Sequence, residues 1–167
     1  MSLYHVAQVN IGRVRAPTED PLMAGFVTRL DEINALAERS PGFVWRLQTP
    51  VGNATYFRPY PEDDRILINM SVWEAVAALR DYVYKTAHVE LLRQREAWFE
   101  KFSGVYMALW WVPAGHRPGL DEATKRLAHL ENYGPTQFAF TFKSTFESDE
   151  RFQQAIDWSS FVPCPAA

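Results

Sequence analysis

The stretch Ile66-Leu67-Ile68-Asn69-Met70-Ser71-Val72-Trp73-Glu74 decides the fold. Its side chains alternate, with Ile66, Ile68, Met70 and Val72 on one face and Leu67, Asn69, Ser71 and Trp73 on the other, the two-residue period of a strand. A helical pattern follows at once. Val72, Val76, Leu79 and Val83 recur at helix spacing, and Ser71-Val72-Trp73-Glu74 has the form of a capping box, in which the serine oxygen accepts the amide three residues on. A strand therefore passes directly into a helix near mid-chain.

Upstream, Phe43 to Gln48 alternates as a strand, and a Gly/Pro/Asp-rich connection from Pro50 to Arg65 joins it to the central run as a hairpin with a long link. Before it, Asp20-Pro21 starts a helix whose apolar residues Leu22, Phe26, Leu30, Ile33 and Ala37 repeat until Ser40-Pro41-Gly42. Leu3 to Ile11 alternates again, with Tyr4, Val6, Gln8 and Asn10 sharing one face. Downstream, the helical pattern falters at Lys85-Thr86 and resumes with His88, Leu92, Arg95, Phe99 and Phe102, which predicts a bent or broken helix pair. Val105 to Val112 reads as a strand, Pro113 to Pro118 as a rigid turn, and Leu120, Ala123, Leu127 and Leu130 as a helix closed by Tyr133-Gly134-Pro135. Gln137 to Lys143 predicts a last strand with Phe138, Phe140 and Phe142 on one face.

The order β-α-β-β-α(α)-β-α-β contains the split βαβ arrangement, which gives an α+β class: a ferredoxin-like antiparallel sheet with helices on one face, over residues 1–146. Residues 147–167 lose the regular pattern, but Phe152, Ile156, Trp158 and Phe161 predict a tail docked on the domain or on a partner. The uncovered sheet face calls for a cover. By analogy with proteins of this shape, a second copy supplies it, and a homodimeric α+β barrel closes around the ligand.

Composition removes several classes of function. A net charge of −3 with scattered Lys and Arg supplies no basic stripe for nucleic acid. No apolar run is long enough to cross a bilayer, so a membrane partner is not expected and the cytoplasm is the expected location. The single cysteine, Cys164, excludes an intrachain disulfide, and no H-x-H, H-E-x-x-H or cysteine cluster points to a metal. Phosphate-binding, dinucleotide-binding and serine-hydrolase motifs are also absent. What stands out is an aromatic content of 14%, with six tryptophans, suited equally to a core and to a ligand pocket.

The candidate site residues follow from chemistry. His88 titrates near neutrality and follows the helix break, four residues after Tyr84, so it is either a proton carrier or a bridge between two helices. Asn10, Gln8, Asn69 and Ser71 give the strand faces a polar content at odds with packing beneath helices, so they either orient a substrate inside the barrel or meet water or a partner. Arg46 either pairs with a substrate oxyanion or makes a cross-strand ion pair. Trp73, Trp110 and Trp111 divide between core and cavity, and adjacent Trp110 and Trp111 must face opposite ways. His116 is either a pocket rim or an anchor of its turn.

Gln8-Val9-Asn10-Ile11, Gly42 to Gln48, Ser71 to Glu74, Trp110 to Pro118, Gly134-Pro135-Thr136 and Phe138 to Phe142 together resemble a bacterial family known as domain of unknown function 3291. More distantly, Ser71-Val72-Trp73-Glu74 followed by a helix and His88 is similar to the antibiotic-biosynthesis monooxygenase superfamily, which includes cofactor-free oxygenases and haem degraders. That resemblance implies roles for Asn10 and His88, with Tyr82 standing where the haem degraders carry a tryptophan. Three readings follow: a cofactor-independent monooxygenase or isomerase acting on an aromatic or polyketide-like molecule, a haem-binding or haem-degrading protein, and a non-catalytic ligand-binding module. In the first, His88 moves a proton while Asn10 or Arg46 stabilises an enolate, and no cofactor is needed.

Overall fold

The computed structural model describes residues 2–50, 52–162 and 164. Met1 at the start of the chain, Val51 in the long connection, and Pro163 and residues 165–167 of the expected tail lie outside the described residues. Four strands, β1 (Tyr4–Arg13), β2 (Phe43–Arg46), β3 (Ile66–Trp73) and β4 (Met107–Pro113), form one antiparallel sheet in the order β2-β3-β1-β4. Helix α1 (Ala24–Arg39) links β1 to β2, and α2 (Val76–Lys85) with α3 (His88–Gln94) links β3 to β4. This is the ferredoxin-like topology and the α+β class that the element order predicts. Helices α4 (Leu120–Tyr133) and α5 (Glu150–Gln154) follow the sheet.

The alternation in the sequence sorts into two cores. Val6, Trp73, Leu109 and Trp111 meet Ala37 of α1 and Leu79 and Tyr82 of α2 on one face. Ala7, Val9, Ile68, Met70, Val72, Ala108, Trp110 and Val112 meet Ala123, Leu127 and Leu130 of α4 on the other. The ferredoxin-like helices thus keep to one face, and α4 covers the second face from within the same chain. That removes the bare surface from which a sequence-level argument infers a second copy.

Local chemistry explains most boundaries. Asp20 accepts the Leu22 amide at 2.8 Å ahead of a short 3-10 turn, Pro21–Met23, that leads into α1. Gly42 ends the α1 turn at φ +80°, where a Cβ would lie 2.7 Å from that of Ala78, so the turn requires glycine for both its conformation and its close approach to α2. Thr86 makes the break between α2 and α3: its hydroxyl donates to the Tyr82 carbonyl (2.5 Å) and accepts the His88 amide (3.2 Å).

Three expectations change. Helix α2 starts at Val76 after an N-cap, Ala75, that has no side-chain hydrogen bond, so the capping box does not form; the Ser71 hydroxyl is occupied inside the sheet by Gln8 and Trp73. The predicted last strand reduces to one isolated bridge to the sheet, Leu109 to Phe140 with both hydrogen bonds at 2.8 Å, and a second in which Thr141 turns back on Ser144. Around it the backbone closes on itself and on α4, through Thr136 N–H to Ala139 and Arg126 to the Phe138 carbonyl (2.7 Å). Phe138 therefore packs with the α4 core while Phe140 and Phe142 pack with the other. Helix α3 also ends at Gln94, with a 3-10 turn at Arg95–Ala97, earlier than the apolar spacing implies.

The α4 face holds a buried polar network. Glu122 and Arg126, both 0% exposed, pair at 3.4 Å, and Glu122 also accepts Trp110 Nε1–H (2.8 Å) and contacts His116 Nε2 (2.7 Å). Burial lowers the Arg126 guanidinium to about 10 against the opposing pull of Glu122, so it stays charged at neutral pH. Phe138 lies 3.8 Å from it, and Trp158 and Phe161 of the C-terminal segment at 5.7 and 5.3 Å. Removing one partner strands the other charge in the core. Glu122→Ala is expected to lose roughly 3–5 kcal/mol in urea unfolding. The paired change Glu122→Leu with Arg126→Met is expected to recover most of that loss.

Candidate functional site

Beneath α1, α2 and α3 the sheet is not apolar throughout. Gln8 and Asn10 of β1 lie opposite Ser71 and Asn69 of β3, so four polar side chains form a stripe on the face that the helices cover. Gln8 Nε2 donates to Asn69 Oδ1 (2.8 Å) and Ser71 Oγ (3.1 Å), and Trp73 Nε1 donates to the same Ser71 oxygen (2.8 Å). Asn69 is the one exposed residue of β3. Polarity does not keep this stripe out from under the helices, as the sequence reading supposed. Instead the helices stand off it and leave a cavity of about 360 Å³.

The cavity lies between the sheet and the helix layer of one chain, not inside a barrel made by two sheets. Phe26, Leu30, Ile33 and Asn34 of α1 form one wall. Leu79, Tyr82, Val83, His88, Leu91 and Leu92 form the roof, and Arg95, Phe99, Tyr106 and Phe142 close the side near β4. Asn53, Ala54 and Thr55 of the long connection complete it. Such a volume and mixed lining suit a small organic molecule.

His88 is placed here by the Thr86 break. Its ring lies 5.0 Å from that of Tyr82, which in turn stacks on Trp73 at 5.0 Å and 26°. The Tyr82 hydroxyl donates to the Ile33 carbonyl at 3.3 Å, and burial pushes its pKa up against the opposing charge of Arg46, so it remains a phenol. Burial lowers the His88 pKa, with the Val83 carbonyl working the other way, so the imidazole is neutral at physiological pH. Nδ1 is buried and makes no hydrogen bond of normal geometry, and the ring lines the cavity.

The structure brings together His88, Asn10, Asn69 and Tyr84, which is 53% exposed and packs edge-on against Phe142 at the mouth. Trp73 stands one ring behind the wall, through Tyr82. Four candidates lie elsewhere. Arg46 donates from Nε to Glu38 of α1 at 2.8 Å, a strand-to-helix ion pair away from the cavity walls. Trp110 faces α4 and Trp111 donates to the Phe146 carbonyl (2.8 Å), so neither lines the cavity. His116 belongs to the Glu122 network on the far face, against Trp158 at 4.9 Å. Sequence reasoning missed Arg95, Asn34, Tyr106 and the Asn53 to Thr55 segment as wall residues. For Asn34 a signal exists: it follows Phe26 and Leu30 on the buried stripe of α1, where a polar residue is out of place.

Among the described residues no three His, Cys, Asp or Glu side chains cluster to hold a metal ion, and no helix is long and apolar enough to cross a membrane. Fold and cavity together define an α+β ferredoxin-like protein with an internal cavity on the helix-covered sheet face. The chain belongs to the family described as Domain of unknown function (DUF3291), whose model matches residues 5–156. Among solved structures it is similar to a variant of SnoaB, a cofactor-independent oxygenase from Streptomyces nogalater, at 17% identity and a TM-score of 0.43, covering 69% of this chain and 96% of that one. It is also similar to PA3566 from Pseudomonas aeruginosa, at 16% identity and a TM-score of 0.44, covering 68% and 95%. No curated protein matches it in sequence.

The lowered His88 pKa fixes a pH dependence. The unfolded chain takes up a proton near the ordinary value of 6.5 while the folded chain resists it, so stability is complete above that pH and declines as pH falls through it toward the lower folded value. In urea melts between pH 8 and 5, His88→Phe is expected to lose less stability than the parent protein. An equal slope in the two proteins would show that His88 titrates normally.

Proposed function

We propose that the cavity binds a planar aromatic or polyketide-like molecule and that His88 removes a proton from an acidic carbon of it, in a cofactor-independent oxygenation. The observation that carries this reading is a neutral imidazole on an apolar wall facing unspent amides on the floor. Asn10 makes no side-chain hydrogen bond to protein among the described residues, so its amide is free to donate to an enolate oxygen. Trp73 and Tyr82 back the imidazole with a flat apolar surface that excludes water.

The step balances without a bound redox group. A ring CH₂ gives one proton to the His88 imidazole and leaves an enolate, and that electron-rich carbon reduces dioxygen, the co-substrate. A CH₂ and O₂ become a carbonyl and water. Return of the proton to a different carbon, with no oxygen taken up, is isomerisation by the same base.

The site is complete in one chain. The homodimer expected from the barrel analogy would have to use a surface other than the α4-covered face, and we propose that the cavity works without a residue from a second copy. We propose a cytoplasmic enzyme whose partner is a small molecule.

Anthrone, a planar aromatic with one acidic CH₂, tests the chemistry. Oxygen uptake and anthraquinone formation above the protein-free rate are expected, with kcat reduced by about 10²–10⁴-fold in His88→Ala and less in Asn10→Ala. Proton exchange at the CH₂ without oxygen uptake would assign the base role to His88 and remove dioxygen from the reaction. A Soret band on haemin titration that is lost in His88→Ala would replace this reading with the tetrapyrrole one, and neither binding nor turnover would leave no catalytic role for the cavity.

A further inference from the structure

Among the described residues, the cavity walls carry one formal charge. Of the residues that line it, Arg95 is the single cation, and no aspartate, glutamate or lysine is present. Among the described residues five of the 13 arginines pair with a carboxylate, namely Arg13, Arg46, Arg65, Arg93 and Arg126. Among the described residues Arg95 makes no salt bridge and its side chain makes no hydrogen bond to protein. Its guanidinium instead lies 5.2 Å from the Tyr106 ring, which orients it without using its N–H groups.

We infer that the ligand is an anion, a fused-ring aromatic carboxylate whose carboxylate is held by Arg95 at the β4 side of the cavity. The inference rests on the reading of the cavity as a small-molecule site. A planar guanidinium with free donors matches a carboxylate in two parallel hydrogen bonds, and a cation with no protein counter-ion gains most from a charged ligand. The position agrees with the chemistry. His88 opens α3 and Arg95 follows its last residue, so their backbone positions lie seven residues apart along the roof, about 10 Å at the helical rise. Two or three fused rings span that distance. Leu91 and Leu92 lie between them on the roof, with Phe99 and Tyr106 beside the anchor, so the middle of the ligand meets apolar groups while its two ends meet polar ones. The anchored end is non-reacting, and its binding energy serves to hold the acidic carbon at His88.

Equilibrium binding of anthracene carboxylate and of the matching carboxamide, followed by fluorescence, separates the claims. The carboxylate is expected to bind roughly tenfold or more tightly than the carboxamide, the range for a charge-assisted pair. Arg95→Gln is expected to abolish that preference, weakening the carboxylate by about the same factor and the carboxamide by less than about twofold. Arg95→Lys is expected to keep part of it, because charge remains and the fork is lost. Equal binding of the two probes, tighter binding of the carboxamide, or a preference that survives Arg95→Gln overturns the anion assignment and leaves the cavity reading in place. Failure of both probes to bind, together with no anthrone turnover, overturns both.

Discussion

Gln8, Asn10, Asn69 and Ser71 place amides and a hydroxyl on the sheet face that α1, α2 and α3 must cover, and the rest of the structure is arranged around that fact. An apolar helix laid directly on them would leave buried donors and acceptors unpaired, at about 1–3 kcal/mol for each group. The cross-strand bonds from Gln8 to Asn69 and Ser71 satisfy only part of this capacity. The remaining solution is space. The helices meet the sheet closely where it is apolar, at Val6, Trp73, Leu109 and Trp111, and stand away where it is polar. Two-residue periodicity therefore does more than bury one face: by interrupting an apolar face with polar residues, it sets where the cavity opens.

The far side of the sheet follows the opposite rule. There Ala7, Val9, Ile68, Met70 and Val72 are uniformly apolar, and α4 packs flat on them. Its own polar residues, Glu122 and Arg126, are paired to each other, to Trp110 and to His116, so this face carries charge without needing a ligand. The contrast separates the two histidine environments. His116 has a carboxylate partner at 2.7 Å and a structural neighbourhood, while His88 has a buried Nδ1 with no hydrogen bond of normal geometry and a cavity in front of it.

Much of the fold is legible in the sequence because its signals are local. Strand alternation in Ile66 to Trp73, the Asp20-Pro21 helix start and the break at Thr86 depend on residues a few positions apart. The errors arise where a distant partner decides. Phe138, Phe140 and Phe142 alternate as a strand would, yet Arg126 takes the Phe138 carbonyl and the run splits between two cores. Ser71 has the spacing of a cap, yet Gln8, far upstream in the chain, supplies a bond within the sheet. The site was legible to the same degree. Asn10, Asn69 and His88 stand out because polar residues interrupt apolar patterns, whereas Arg46 looks identical to a ligand-binding arginine until Glu38 is seen beside it.

Arg95 shows the reverse of that case. In sequence it interrupts the apolar stripe of Leu92, Phe99 and Phe102, the same kind of signal that Asn34 gives, but that signal does not reveal its partners. Its significance comes from what is missing around it in space, an acidic partner, and from Tyr106, which fixes the guanidinium from one face and leaves its edges open. Helix α3 joins this group to His88 as a short rigid spacer, and the Thr86 hydroxyl sets where that spacer begins by binding the end of α2 and the start of α3 at once. A single side chain at the helix break therefore sets where the roof segment carrying His88 and Arg95 begins. The backbone of the roof, not any contact between the two groups, sets their spacing along the chain.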